Sequence, residues 1–335
     1  MVWLQFLIGA LVIIFAGSRL SRYGDIIARR TGLGGAVIGL ALLATVTSLP
    51  EIAVSATSIL LVGSPDLAVG GLLGSNTFNL AIIVLLDIIY RSGPLLSRIH
   101  PSHILSAGLG SSFIGIVVAL IFFYQQGRVV EILGIGLSSP IFIFMYVLSL
   151  GLVSRFEKKL RLEAVRQGTD KKPEEAGERR IYLKTAAVAL AIVAAGIWLS
   201  LTGEKIAAVT GWGESFVGTL FLAAATSLPE LVVSVGALRL GAADMAVSNL
   251  LGSNLFNMVM IAVCDILYRR GPLLASVSPA SVMAGLTSLV MTGIVITALI
   301  YRTRSPSLVR VGGETVALFA TYIAGNYLLF LLSSR

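Results

Sequence analysis

The chain repeats itself. Thr47-Ser48-Leu49-Pro50-Glu51 recurs 179 residues later as Thr226-Ser227-Leu228-Pro229-Glu230. At the same offset Ala16-Gly17 meets Ala195-Gly196, Thr31-Gly32 meets Thr210-Gly211, and Gly39 meets Gly218. After a one-residue deletion Asp66 meets Asp244, Gly74-Ser75-Asn76 meets Gly252-Ser253-Asn254, and Asn79 meets Asn257. Asp87-Ile88-Ile89-Tyr90-Arg91 then meets Asp265-Ile266-Leu267-Tyr268-Arg269, and Gly93-Pro94-Leu95-Leu96 meets Gly271-Pro272-Leu273-Leu274. Charged and polar residues keep register here, so the chain holds two copies of one structural unit.

The solvent for these units follows from their apolarity. Apolar residues make up 56% of the chain, charged residues 13%, and mean hydropathy is +0.92. Soluble domains carry about 25% charged residues, so a polytopic membrane protein is expected. Ten apolar runs read as helices, at 2–18, 33–61, 66–90, 103–124, 129–153, 181–201, 212–238, 243–268, 279–301 and 312–333. Each is near the ~20 residues that span hydrocarbon. The first run lacks the basic start of a signal peptide, and the repeat requires it as a helix. The segment Arg155 to Arg180 is too dense in Lys, Arg and Glu to span.

The expected division is therefore a five-helix unit over 1–154, a charged linker over 155–180, and a second unit over 181–335. Five is odd, so the second unit enters the membrane from the opposite face. The fold class is an all-α membrane protein of ten transmembrane helices in two inverted-topology five-helix repeats. Lys and Arg gather on the connections of one face, including the linker. The positive side faces the cytoplasm, which puts both termini on the outer side of the membrane. This topology accounts for the net charge of +8 without a nucleic-acid partner. The lone Cys264 excludes an intrachain disulfide. His100 and His103 share one connection with no Cys nearby and read as interfacial.

Glu51 and Glu230 fall near the middle of the second and seventh helices. An ionised carboxylate there costs at least about 2.5–3.5 kcal/mol. No Lys or Arg lies near either in the helical pattern, so a bound cation is the expected partner. The bland alternative is a protonated Glu bonded to a neighbouring helix. Pro50 and Pro229 lack an N–H, which strips the carbonyls of Val46 and Ala225 of their helical donors. Thr47, Ser48, Thr226 and Ser227 add hydroxyls; a simple proline kink is the alternative. Ser75 and Asn79 share a helix face at i and i+4, as do Ser253 and Asn257. Packing and interhelical bonding explain these equally well when taken alone.

Together these residues offer only oxygen. Ca²⁺ takes 6–8 oxygen ligands at variable geometry, and Na⁺ is a hard cation of similar size. Nothing here favours Zn²⁺, Cu or Ni²⁺. Two carboxylates balance one Ca²⁺ or two Na⁺, which is a basis for exchange. Asp66 and Asp244 are expected to cap the third and eighth helices. Asp87 with Arg91, and Asp265 with Arg269, read as i,i+4 pairs. Gly108 and Gly110 read as packing glycines.

The doubled Thr-Ser-Leu-Pro-Glu and Gly-Ser-Asn segments resemble the alpha repeats of the sodium/calcium exchangers, within the calcium/cation antiporter superfamily. The likeness covers nearly the whole chain, in what looks like the minimal prokaryotic form. It implies alternating access, with Ca²⁺ extruded against entering Na⁺. It implies Glu51 and Glu230 as central Ca²⁺ ligands, with backbone carbonyls from Thr47 and Thr226. Ser48, Ser227, Ser75 and Ser253 would serve Na⁺ sites, and the carbonyls of Ala44 and Ala223 the outer Na⁺ positions. Sliding of helices one and six would switch access. Asn79 and Asn257 join the ligand set as neutral amides, although many members carry Asp at the second position; this argues against K⁺ dependence. Gly71 stands where the second repeat has Asn249. The linker holds no evident regulatory domain.

The expected function is Na⁺/Ca²⁺ antiport, with Ca²⁺ and Na⁺ as cargo, the lipid bilayer as surroundings, and no enzyme activity, cofactor or obligate protein partner. A Ca²⁺/H⁺ antiporter on the same scaffold is the nearest alternative. A cation channel and a non-transporting scaffold are the others.

Overall fold

A computed structural model describes residues 1–31, 47–90, 93–128, 131–132, 135–166, 180–239, 241–301 and 312–333. The long helices are α1 (Val2–Thr31), α2 (Leu49–Thr57), α3 (Pro65–Ile89), α5 (His103–Gln125), α6 (Ser138–Arg166), α7 (Arg180–Thr210), α10 (Leu228–Arg239), α11 (Ala243–Leu267), α12 (Ala280–Tyr301) and α13 (Gly313–Ser333). Short turns intervene: α4 (Leu95–Arg98), α8 (Glu214–Val217) and α9 (Ala223–Thr226). Among the described residues seven helices are long and apolar enough to cross a membrane. Glu214–Thr226 and Leu228–Arg239 are long and apolar enough only as a pair, which is bent by 43° at its break. Leu49–Val62 and Ser138–Leu152 are shorter apolar helices. They fall within the expected runs 33–61 and 129–153. Residues 32–46, including Ala44 and Val46, lie outside the described residues.

Three boundaries differ from expectation. The run at 129–153 does not begin as a helix. β1 (Glu131–Ile132) pairs antiparallel with β2 (Ile135–Gly136), Ile132 opposite Ile135. The sequence there is rich in β-branched residues and broken by glycines, which disfavours helix. Next, α6 continues through Arg166 into the expected linker. Finally, α1 and α7 outlast their apolar stretches: α1 is helical through Thr31, where the described residues pause, and α7 ends at Thr210. Loss of apolarity takes a helix out of the membrane without ending it. For α7 the stop signal is glycine: Gly211 has φ 70° and its N–H bonds the Ala207 carbonyl, a left-handed cap.

Helices α3 and α11 are the most buried and pack on one another. Leu72, Leu73, Phe113, Phe142 and Ile261 form one apolar cluster around them; Leu80, Ile83, Leu86, Leu250 and Met291 form another. Small residues set the closest approaches. A Cβ on Gly74 would lie 2.2 Å from the Thr219 carbonyl oxygen. Thr219 sits in a π-helical turn, Gly218–Leu222; a second such turn, Ser58–Val62, lies at a different position of the repeat.

Helices α1 and α7 pack together and each also lies on the broken helix of the other half. Gly17 of α1 meets Pro229, where a Cβ would come within 2.3 Å of Cγ. Its repeat equivalent, Gly196 of α7, meets Ala53 with a Cβ separation of 2.5 Å. The two units are interlaced rather than stacked side by side.

Candidate ion-binding site

The helix breaks position both glutamates. Ser48 and Ser227 leave helical geometry in the same way, at φ −83°, ψ 8° and φ −87°, ψ 6°. Helix resumes at once, with Ile52 N bonded to Ser48 O at 3.1 Å and Leu231 N to Ser227 O at 3.2 Å. Glu51 and Glu230 thus lie in the first turn of α2 and α10. That end carries partial positive charge, which favours a carboxylate. Both side chains are buried, at 3% and 0% exposure.

Each carboxylate is held from both halves of the chain. Glu51 Oε1 accepts from Ser227 Oγ at 3.0 Å and from Ser75 Oγ at 3.4 Å. Glu230 Oε1 accepts from Ser48 Oγ at 3.3 Å and from Ser253 Oγ at 3.2 Å. The two contacts of Glu230 are the two contacts of Glu51 with the repeats exchanged. The second oxygen of each carboxylate, Oε2, is buried without a hydrogen-bond partner. A buried acceptor left unpaired costs about 1–3 kcal/mol, more when charged.

Thr47 is buried beside Ser48. Thr226 Oγ1 lies 3.4 Å from Ser75 Oγ and donates to the Ala223 carbonyl at 3.2 Å. That carbonyl also accepts Ser227 N at 3.0 Å, so Ala223 is engaged within its own turn. Asn79 and Asn257 are fully buried, and each donates its amide nitrogen to an asparagine of the other half: Asn79 to Asn254 Oδ1 at 2.9 Å, Asn257 to Asn76 Oδ1 at 3.0 Å. Their own Oδ1 atoms have no partner. Asn76 and Asn254 escaped the sequence reading as site residues. Their doubled place in the Gly-Ser-Asn segment was the available signal.

The two halves differ beside the glutamates. Asn249 Nδ2 donates to Ser234 Oγ at 3.3 Å, and Ser234 Oγ to the Ala246 carbonyl at 3.1 Å. The equivalent of Asn249 is Gly71. There a small cavity is lined by Glu51, Ser55, Gly71 and Thr226, among others.

The other acids do different work from that expected. Ser64, not Asp66, caps α3, accepting from Leu67 N at 3.1 Å. Asp66 instead accepts Ser215 Oγ and Ser278 N, both at 2.8 Å. Asp244 accepts His100 N at 2.6 Å and lies 3.0 Å from His103 Nε2; Ala242 occupies the N-cap position of α11, which has no side-chain cap. Each Asp ties its helix start to another segment. Asp265 accepts Leu273 N at 2.6 Å, Gly136 N at 2.9 Å and the Ser139 hydroxyl. Asp87 accepts Leu95 N at 2.6 Å and Thr315 Oγ1. The i,i+4 pairing with arginine fails because α11 ends at Leu267, leaving Arg269 off the helix and exposed. Arg91 lies outside the described residues. Gly108 faces open space and Gly110 has only Leu255, at 4.0 Å.

Among the described residues no three His, Cys, Asp or Glu side chains gather into a metal-binding group. The groups bonded to Glu51 and Glu230 are serine hydroxyls.

Known proteins resemble this chain over nearly its whole length. A family model described as sodium/calcium exchanger protein matches residues 1–155 and 182–331. The inner membrane protein YrbG of Escherichia coli (strain K12) is 29% identical over 335 residues, covering 98% of this chain and 96% of that protein. Two solved structures share the fold. The H⁺/Ca²⁺ exchanger CAX superposes with a TM-score of 0.65 at 15% identity, covering 99% of this chain and 85% of that one. The sodium-calcium exchanger NCX_Mj superposes at 0.60 with 18% identity, covering 98% and 100%.

Proposed function

This chain belongs to the sodium/calcium exchanger protein family, and we propose that it is a secondary antiporter exchanging Na⁺ for Ca²⁺ at the paired glutamates. One observation carries the reading. Two buried carboxylates, each with one oxygen held by serines from both halves, keep the other oxygen without a partner. Among the described residues the one charged-group pair within bridging distance is His103–Asp244, so no described Lys or Arg neutralises the glutamates. A cation supplies what the protein withholds.

In this reading Glu51 and Glu230 bind Ca²⁺, helped by carbonyls of Thr47 and Thr226. Ser48, Ser75, Ser227, Ser253 and the carbonyls of Ala44 and Ala223 serve Na⁺, and Asn79 and Asn257 add amide oxygens. Two negative charges match one Ca²⁺ or two Na⁺. Occupancy by either leaves too little charge for the other, and this exclusion couples the fluxes. The chain is a multi-pass membrane protein whose ten helices form two inverted repeats, with both termini outside and the linker in the cytoplasm. Access alternates as the repeats rearrange around the fixed site. Vesicles loaded with Na⁺ and diluted into Na⁺-free buffer should take up ⁴⁵Ca²⁺. Uptake that ignores Na⁺ and follows an imposed proton gradient would overturn the choice of counter-ion.

H⁺/Ca²⁺ exchange is the second reading. It is favoured by the neutrality of Asn79 and Asn257, which leaves the two glutamates as the carboxylates of the cluster and therefore as its proton carriers.

A further inference from the structure

We infer that Asn254 is a positioning residue that fixes the Asn79 amide with its oxygen free for an ion; this rests on reading the cluster as an ion site. An asparagine amide has one accepting end and one donating end of nearly the same shape. Which end faces an ion must be imposed by its partners. Here the imposing group is a backbone carbonyl, which can only accept.

Asn254 Nδ2 donates to the Asn76 carbonyl at 3.3 Å. That bond turns Asn254 Oδ1 the other way, where it accepts Asn79 Nδ2 at 2.9 Å. The donating end of Asn79 is thereby committed, and its Oδ1 is left buried without a partner. One main-chain oxygen sets the orientation of two side chains in succession. Asn76 Oδ1 accepts Asn257 Nδ2 at 3.0 Å, while the nitrogen of Asn76 makes no bond. The anchored half of the lattice is therefore the one ending at Asn79. A carboxylate at position 79 would accept at both oxygens and need no such orientation. The lattice is the requirement that comes with a neutral amide.

A double-mutant cycle tests this, read by Ca²⁺ binding to the purified protein and by half-saturating Ca²⁺ in reconstituted exchange. Asn254→Leu should weaken Ca²⁺ binding about tenfold, the worth of one misplaced hydrogen-bonded ligand. In an Asn79→Asp background the same change should cost nothing or improve binding, because it removes an oxygen facing the new carboxylate. Equal losses in both backgrounds would show that Asn254 matters only for packing and would overturn the inference. If Asn254→Leu does not fold, Asn254→Ser, too short to reach Asn79, runs the same cycle. A wild-type protein that binds no Ca²⁺ would overturn the ion-site reading itself, and the inference with it.

Discussion

Ser227 donates to Glu51 across 176 residues of chain, at 3.0 Å. Its counterpart, Ser48 to Glu230 at 3.3 Å, makes the same crossing in the other direction. Neither glutamate belongs to one half alone, and mutational effects should show this reciprocity.

Glu51→Gln and Glu230→Gln keep the side-chain shape and remove one charge of the pair. Each should lower Ca²⁺ uptake by about a hundredfold or more, since removing one partner of a buried charge pair costs about 2–5 kcal/mol. Both variants should still elute as folded protein on size exclusion. Wild-type-like flux in either would contradict the site.

Ser48→Ala and Ser227→Ala each remove one hydrogen bond to a carboxylate, worth about 1.5–3 kcal/mol. Half-saturating Ca²⁺ should rise by similar factors in the two, about tenfold to a hundredfold. A large effect in one and none in the other would deny the reciprocity.

Gly74→Ala and Gly71→Ala sit on the same helix and should behave oppositely. The first places a Cβ 2.2 Å from the Thr219 carbonyl oxygen, a backbone atom; the second meets nothing nearer than 3.9 Å. Overpacking should destabilise Gly74→Ala by about 1–3 kcal/mol. Gly71→Ala should stay within about 0.5 kcal/mol of wild type. Thermal unfolding in detergent separates the two.

Asp265→Asn leaves the amides of Gly136 and Leu273 with a weaker acceptor and should lower stability by about 1–3 kcal/mol. Arg269→Ala should be neutral within about 0.5 kcal/mol. Equal losses would restore the discarded pairing between these residues.

The glutamates and their serines were legible because the repeat marks them twice and because charge inside an apolar run needs a reason. The within-helix neighbours Ser75 and Asn79 followed from spacing. Contacts that cross between halves did not, since sequence periodicity describes one helix at a time. Asp66 and Asp244 show the limit. Their positions suit a cap, and only tertiary packing reveals Ser278 N and His100 N as their donors. The Arg269 pairing failed over two residues of helix length, and the ribbon at Glu131–Gly136 hid inside an apolar run of the right size. Asn76 and Asn254 were visible as repeats, but their role depends on which end of an amide meets which carbonyl, and that is a property of three dimensions.

The interlacing of the two units bears on how the protein is made. When the first half leaves the ribosome, Glu51 has Ser75 but not Ser227, and Asn79 has no Asn254. Gly17 has no Pro229 to close upon, and α2 waits for α7. The early chain must hold a half-finished polar centre in the membrane until the later helices arrive. Insertion of the second half is thus the step that completes the first.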